Sequence, residues 1–208
     1  MNSKIFPSLM AKNQKELDIL IKKFEGVTKE LHIDIVDGKF AKNKTFQFPF
    51  KLNPNFQYNV HLMIKNPEKW IKNNRNIFSL IIPHFEEIKN KTKYIQELRQ
   101  KKKKVALAIL PETTVSKLSP YLKKIDYLLI LTVHPGFYGS KFLKSELNKI
   151  RLIKKINHKI KIMVDGGMNP KTIKMAHQKG GDLFISGSYL LQAKNPKKKI
   201  QELLHNLK

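Results

Sequence analysis

The 208-residue chain has no cysteine. That excludes a disulfide framework, a thiolate zinc site and a cysteine nucleophile. Acidic residues are few, 16 Asp and Glu against 41 Lys and Arg, a net charge of +25. Arginine is nearly missing: Arg75, Arg99 and Arg151 are the only ones, and the other basic residues are Lys. Specific readers of nucleic acid use Arg for bidentate contacts to bases and phosphates. The Lys residues are also dispersed, apart from 101–104 and 197–199. The charge therefore reads as a solvated surface of a Lys-, Ile- and Asn-rich, codon-biased chain, with no specific nucleic-acid partner. No apolar run reaches the ~18 residues of a membrane span. The first ten residues are too short and too interrupted for a signal peptide. A soluble cytoplasmic protein with no membrane partner is expected. Because carboxylates are scarce, those set inside apolar segments carry the most information.

What is present is globular: 41% hydrophobic and 27% charged residues. Eight short, apolar, β-branched runs occur at 5–10, 31–36, 58–64, 78–83, 105–110, 127–133, 160–164 and 183–186. Between them lie amphipathic stretches of helical period at 14–24, 92–100, 142–156, 169–179 and 196–207, with weaker ones at 67–72 and 113–124. The segment 39–57 is long and aromatic-rich without a helical pattern. No low-complexity linker divides the chain. The alternation predicts an α/β fold, a (β/α)8 TIM barrel formed by a single domain over 1–208, at about 26 residues per unit. An open doubly wound sheet is the rival, but it has no reason to stop at eight strands.

A barrel places its chemistry at the C-terminal strand ends. In Leu31-His32-Ile33-Asp34-Ile35-Val36, strand alternation puts His32 and Asp34 on one face and Leu31, Ile33 and Ile35 on the other. His61 falls near the end of Val60-His61-Leu62-Met63, and Asp165 ends an apolar run before Gly166 and Gly167. Each has a plain structural reading: a His–Asp hydrogen bond, a core histidine, a carboxylate accepting from a turn. Together, two imidazoles and two carboxylates balance a divalent cation, and by ligand type suit zinc, iron, manganese or cobalt. Three neighbouring loops carry glycine: 134–140 (Gly136, Gly139), 166–167, and 187–188 (Gly187, Ser188). Glycine lets backbone N–H groups approach an anion, so these loops read as a phosphate cradle. There is no Walker or G-x-G-x-x-G sequence to imply a nucleotide.

The segments Pro7-Ser8-Leu9, HIDIVDG at 32–38, VHLMI at 60–64, HPGFYGSKF at 134–142, VDGG at 164–167 and GS at 187–188 resemble the ribulose-phosphate 3-epimerases nearly end to end. The resemblance implies a (β/α)8 barrel, one bound divalent metal ion and interconversion of ketopentose 5-phosphates, a small phosphosugar substrate. It makes His32, Asp34, His61 and Asp165 metal ligands, with Asp34 and Asp165 also the catalytic acid/base pair. It places Ser8, His61, Gly136, Phe137, Tyr138, Gly139, Gly166, Gly167, Gly187 and Ser188 against substrate. A homo-oligomer is the expected assembly. There are departures: His134 stands where Asn or Asp is usual, Tyr138 precedes Gly139, Leu110 replaces a usual Asn, and Val36 and Thr132 sit at common Met positions, leaving Met63 of the apolar floor. Segments 8–10 and 132–137 also resemble the allulose-6-phosphate 3-epimerases, which keeps a hexose phosphate open. Two other classes remain: a barrel that binds RNA through its lysines without metal, and another phosphosugar isomerase or lyase. A Schiff-base lyase needs an inward strand lysine, and Lys161 opens its strand at the wrong end.

Overall fold

The computed structural model describes residues 4–74, 76–137 and 139–207, so Tyr138 and the ends of the expected 1–208 domain lie outside the described residues. The strands are β1 (Ile5–Leu9), β2 (Glu30–Asp37), β3 (Lys44–Thr45), β4 (Gln57–Met63), β5 (Leu80–Pro83), β6 (Ala106–Ile109), β7 (Tyr127–Leu131), β8 (Lys161–Asp165) and β9 (Leu183–Ser186). The helices are α1 (Gln14–Lys22), α2 (Glu68–Asn74), α3 (Lys91–Gln100), α4 (Val115–Leu122), α5 (Asn148–Ile156), α6 (Pro170–Gln178), α7 (Ser188–Leu191) and α8 (Pro196–His205). Hydrogen-bonded neighbours run β5-β4-β2-β1-β9-β8-β7-β6, all parallel. A parallel bridge between His84 and Ala108 spans the remaining seam and nearly closes the expected eight-stranded barrel. The short β3 pairs antiparallel with β2 and is the only strand inside the 39–57 segment.

Strand alternation sorts the core into two shells. Phe6, Ile82, Ala108, Leu129, Met163 and Ile185 belong to one buried cluster, the barrel interior. Leu31, Ile33, Ile35, Val60, Leu62 and Val164 belong to another, packed with helix residues such as Leu17, Ile150, Ile153 and Ile173. Burial on both faces explains why the strands read as near-continuous apolar runs. Four of the helices, α1, α3, α6 and α8, start where an Asn side chain satisfies a free N–H group. Asn13 caps α1, and Asn169 caps α6 in a reciprocal box with Thr172. Among the described residues, no helix is long and apolar enough to cross a membrane.

The helix expected over 142–156 starts later than its pattern. Residues Lys144–Leu147 form a 3-10 turn and α5 begins at Asn148. The Leu143 N–H donates to the Thr132 carbonyl at 2.7 Å, and Phe142 packs over Gly167. These contacts tie 142–143 to the barrel rim as extended chain, and tertiary hydrogen bonding overrides the local period. The helix α7 was not expected at all; four residues are too few to show a period.

Next to Asp165 the backbone leaves no room for a side chain. Gly166 has φ +111°, and a Cβ there would lie 2.6 Å from Val133 Cγ2. Gly166→Ala should therefore cost about 2–5 kcal/mol, from backbone strain plus overpacking. Urea unfolding reads this directly, and an unchanged midpoint would contradict the packing described.

Candidate active site and metal centre

Register brings the predicted residues together at one end of the barrel. Ser8 on β1 lies beside His32 on β2, Asp34 beside His61 on β4, and Asp165 on β8 is flanked by Leu131 of β7 and Ile185 of β9. His32 and His61 are fully buried and Asp34 nearly so, while the Asp165 side chain keeps slight exposure. His61 Nδ1 lies 3.2 Å from Asp34 Oδ1 and 3.6 Å from Asp165 Oδ2; His32 Nε2 lies 3.4 Å from Asp34 Oδ1. One ligand atom from each of the four residues falls within 4.8 Å of every other.

These spacings fit a shared cation. Donors about 2.1 Å from a tetrahedral ion stand roughly 3.4 Å from one another. Moreover, neither ring nitrogen of the fully buried His32 has a hydrogen-bond partner. A buried unpaired imidazole nitrogen is costly, and a metal bond relieves it. The four residues could hold a divalent ion, and their N and O donors suit the borderline transition metals.

The two carboxylates are driven apart electrostatically. Burial would raise Asp34, but the close charge of His32, 3.4 Å away, and the hydrogen bond and charge of His61 outweigh it and hold the carboxyl well below the usual range. Ser8 Oγ also donates to Asp34 Oδ2. At Asp165, burial dominates, the Asp34 charge adds to it, and the pKa is raised despite His61. Burial opposes charge on His61, yet Asp165 and Asp34 together lift it to about 9.

Above this cluster opens a cavity lined by Ser8, Asp34, Gly136, Phe137, Gly139, Asp165, Gly166, Gly167, Gly187 and Ser188. The expected site residues thus share one mouth, except that His32 and His61 sit behind it and Tyr138 lies outside the described residues. The three glycine loops meet there, and Asn43 Nδ2 buttresses the first by donating to the Gly136 carbonyl at 2.6 Å. One of the departures gains a role. Thr132 Oγ1 reaches the carbonyls of Asp165 (2.9 Å) and Gly166 (2.7 Å), clamping the turn that carries the carboxylate. The apolar lining is richer than Met63 alone, because Met10 and Met168 join it from neighbouring loops. His134 instead faces solvent, where it meets Glu112 at 3.2 Å. The second Asp of the HIDIVDG segment has a structural role: Asp37 accepts from the N–H groups of Lys39, Phe40 and Lys65 and organises the loop after β2.

Sequence reasoning missed His84 and Glu86. His84 Nε2 lies 2.9 Å from His61 Nε2, and His84 Nδ1 lies 3.2 Å from Glu86 Oε2. Burial drives His84 down to about 4. Burial opposes ionisation of Glu86, but hydrogen bonds from His84 and Thr113 prevail and bring it to about 2. The signal was available: Pro83-His84-Phe85-Glu86 follows β5, at the same rim that drew attention to Asp34, His61 and Asp165.

Residues 4–191 match the Ribulose-phosphate 3 epimerase family. The chain is 30% identical to the ribulose-phosphate 3-epimerase of Bacillus subtilis over 214 residues, covering 96% of this chain and 97% of the relative. It is 28% identical to the ribulose-phosphate 3-epimerase of Eremothecium gossypii over 227 residues, covering 98% and 92%. Among solved structures, a 3-keto-L-gulonate-6-phosphate decarboxylase from Vibrio cholerae superposes with a TM-score of 0.70 at 12% identity, covering 100% of this chain and 98% of that one, a likeness of fold alone.

Proposed function

This chain belongs to the ribulose-phosphate 3-epimerase family, and from that premise we propose that its barrel mouth interconverts D-ribulose 5-phosphate and D-xylulose 5-phosphate by proton exchange at C3. One observation carries the reading: two carboxylates from separate parts of the barrel, Asp34 and Asp165, converge with His32 and His61 in one ligand-competent cluster at the floor of a glycine-rimmed mouth. The C3 hydrogen of a 2-ketose is acidic because it neighbours a carbonyl. Asp34, held ionised by its histidines, takes that proton when ribulose 5-phosphate is consumed. Asp165, whose pKa burial and the Asp34 charge raise, delivers a different proton from the opposite face to the enediolate, inverting C3. In the reverse direction the roles exchange. Ser8 orients Asp34, and the three glycine loops present backbone N–H groups to the terminal phosphate. His32, Asp34, His61 and Asp165 would hold the divalent ion. When bound, that ion supplies Lewis-acid stabilisation of the negative charge developing on the substrate oxygens. Only a proton moves, so no redox cofactor is required. The curated relatives carry the pentose name, and nothing among the described mouth residues favours a ketohexose phosphate.

Purified protein assayed on ribulose 5-phosphate and allulose 6-phosphate side by side should favour the pentose and contain about one divalent ion per chain. Preference for the hexose would overturn the substrate, and full activity after removal of all divalent metal would overturn the site. A pH dependence follows from His61. Without metal it stays protonated until about pH 9, so at neutral pH an incoming ion must displace that proton. Affinity should rise about tenfold per pH unit and level off near that value. Calorimetry in buffers of different ionisation enthalpy should count about one proton released per ion bound.

A further inference from the structure

We propose that His84 and Glu86 are positioning residues that fix the tautomer and orientation of His61, leaving its Nδ1 as the lone-pair ligand. The proposal rests on the reading of His32, Asp34, His61 and Asp165 as a metal site.

The direction of every proton in the chain follows from its far end. Glu86 Oε1 accepts from Thr113 Oγ1 and from the Leu110 N–H at 3.1 Å. Its other oxygen, Oε2, faces His84 Nδ1 at 3.2 Å. A carboxylate so used has only acceptors left to offer, so His84 must carry its proton on Nδ1. His84 Nε2 is then a bare acceptor. It stands 2.9 Å from His61 Nε2, a gap that holds one proton and not two. That proton belongs to His61 Nε2. A neutral His61 consequently has its lone pair on Nδ1, the atom 3.2 Å from Asp34 Oδ1 and 3.6 Å from Asp165 Oδ2. The opposite polarity would require a proton on Glu86 Oε2, and a neutral carboxyl is a weaker acceptor for the two donors at Oε1.

The relay is also held rigidly. His84 is fully buried and pairs with Ala108 across the β5–β6 seam. The Phe40 ring lies over it, centroids 4.4 Å apart, and Phe40 is in turn fixed by its N–H to Asp37 Oδ1. A ligating histidine whose second nitrogen donates to a fixed partner binds metal more tightly than one left free, typically by 10–100-fold. Here the partner is a second histidine backed by a carboxylate.

The test is Co²⁺ affinity, measured by competition with a chromophoric chelator, on the full-length protein and three variants. His84→Ala should weaken Co²⁺ binding by roughly 10–100-fold. Glu86→Gln should weaken it about tenfold, because the amide can donate to His84 Nδ1 and reverse the polarity of the relay. His84→Gln, whose side-chain carbonyl can accept from His61 Nε2, should recover most of the loss. Folding of each metal-free variant is checked by circular dichroism. A folded His84→Ala that binds Co²⁺ like the parent overturns the relay, as does a folded His84→Gln no better than His84→Ala. If His84→Ala does not fold, unchanged Co²⁺ affinity in Glu86→Gln overturns it instead. Absence of Co²⁺ binding by the parent protein overturns the metal-site reading itself, a result distinct from these.

Discussion

Asp34→Asn and Asp165→Asn should each slow conversion of ribulose 5-phosphate to xylulose 5-phosphate by roughly 10²–10⁴-fold, the range typical of lost acid–base catalysis. The two residues come from β2 and β8, which are separated in the barrel order by β1 and β9. Their side chains can therefore address a bound sugar from different sides. A single base would return its proton to the face it came from and could not invert C3 without turning the sugar over. Conversion in heavy water should accordingly place solvent deuterium at C3 of the product. Each Asn variant should retain C3 exchange only in the epimer whose hydrogen faces the surviving carboxylate. Because both carboxylates are also assigned to the metal, metal content must be measured beside the rate. A variant that keeps its metal and epimerises at near-normal rate would exclude that residue as an essential base. Product free of solvent deuterium would argue against exchange through two carboxylates altogether.

The second large effect is expected at the phosphate end. Gly187 joins β9 to α7 with φ −91° and ψ −95°, and lines the same cavity as Gly166 and Gly167. Gly187→Asp places a carboxylate where the substrate's dianionic phosphate is proposed to rest. Two unit charges about 4 Å apart repel by about 4 kcal/mol at an effective dielectric of 20. Partial screening by solvent still leaves KM for ribulose 5-phosphate raised by at least roughly tenfold. Gly187→Ala separates bulk from charge and should perturb KM less. Unphosphorylated ribulose serves as the internal control, since its binding should not sense the new charge. Equal KM values for the parent and the Asp variant on the phosphorylated sugar would remove this loop from the phosphate site.

Part of this protein could be read from local sequence because local rules govern it. A strand has a period of two, so Leu31-His32-Ile33-Asp34 sorts itself into an inner and an outer face wherever it lies in the sheet. Asn169, Pro170 and Thr172 announce the start of α6 because capping involves residues three apart. The carboxylates and histidines at strand ends were conspicuous because charge is rare inside apolar runs. Other features depended on segments far apart in the chain meeting in space. Thr132 clamps the Asp165 turn only because β7 and β8 are in register, and a separate bond from the Leu143 N–H to the Thr132 carbonyl stops 142–143 from being helical despite their period. Met10 and Met168 reach the mouth from different loops. The two carboxylates are shifted in opposite directions because burial is opposed by two histidines at Asp34 and reinforced by a neighbouring charge at Asp165. The Glu86–His84–His61 chain exists because β4 and β5 are adjacent, which brings two imidazole nitrogens to 2.9 Å. Sequence determined which side chains face the barrel interior, since that depends on each strand alone. Tertiary structure decided which of them share a proton or could share an ion, since that depends on distances of a few ångströms set by strand register.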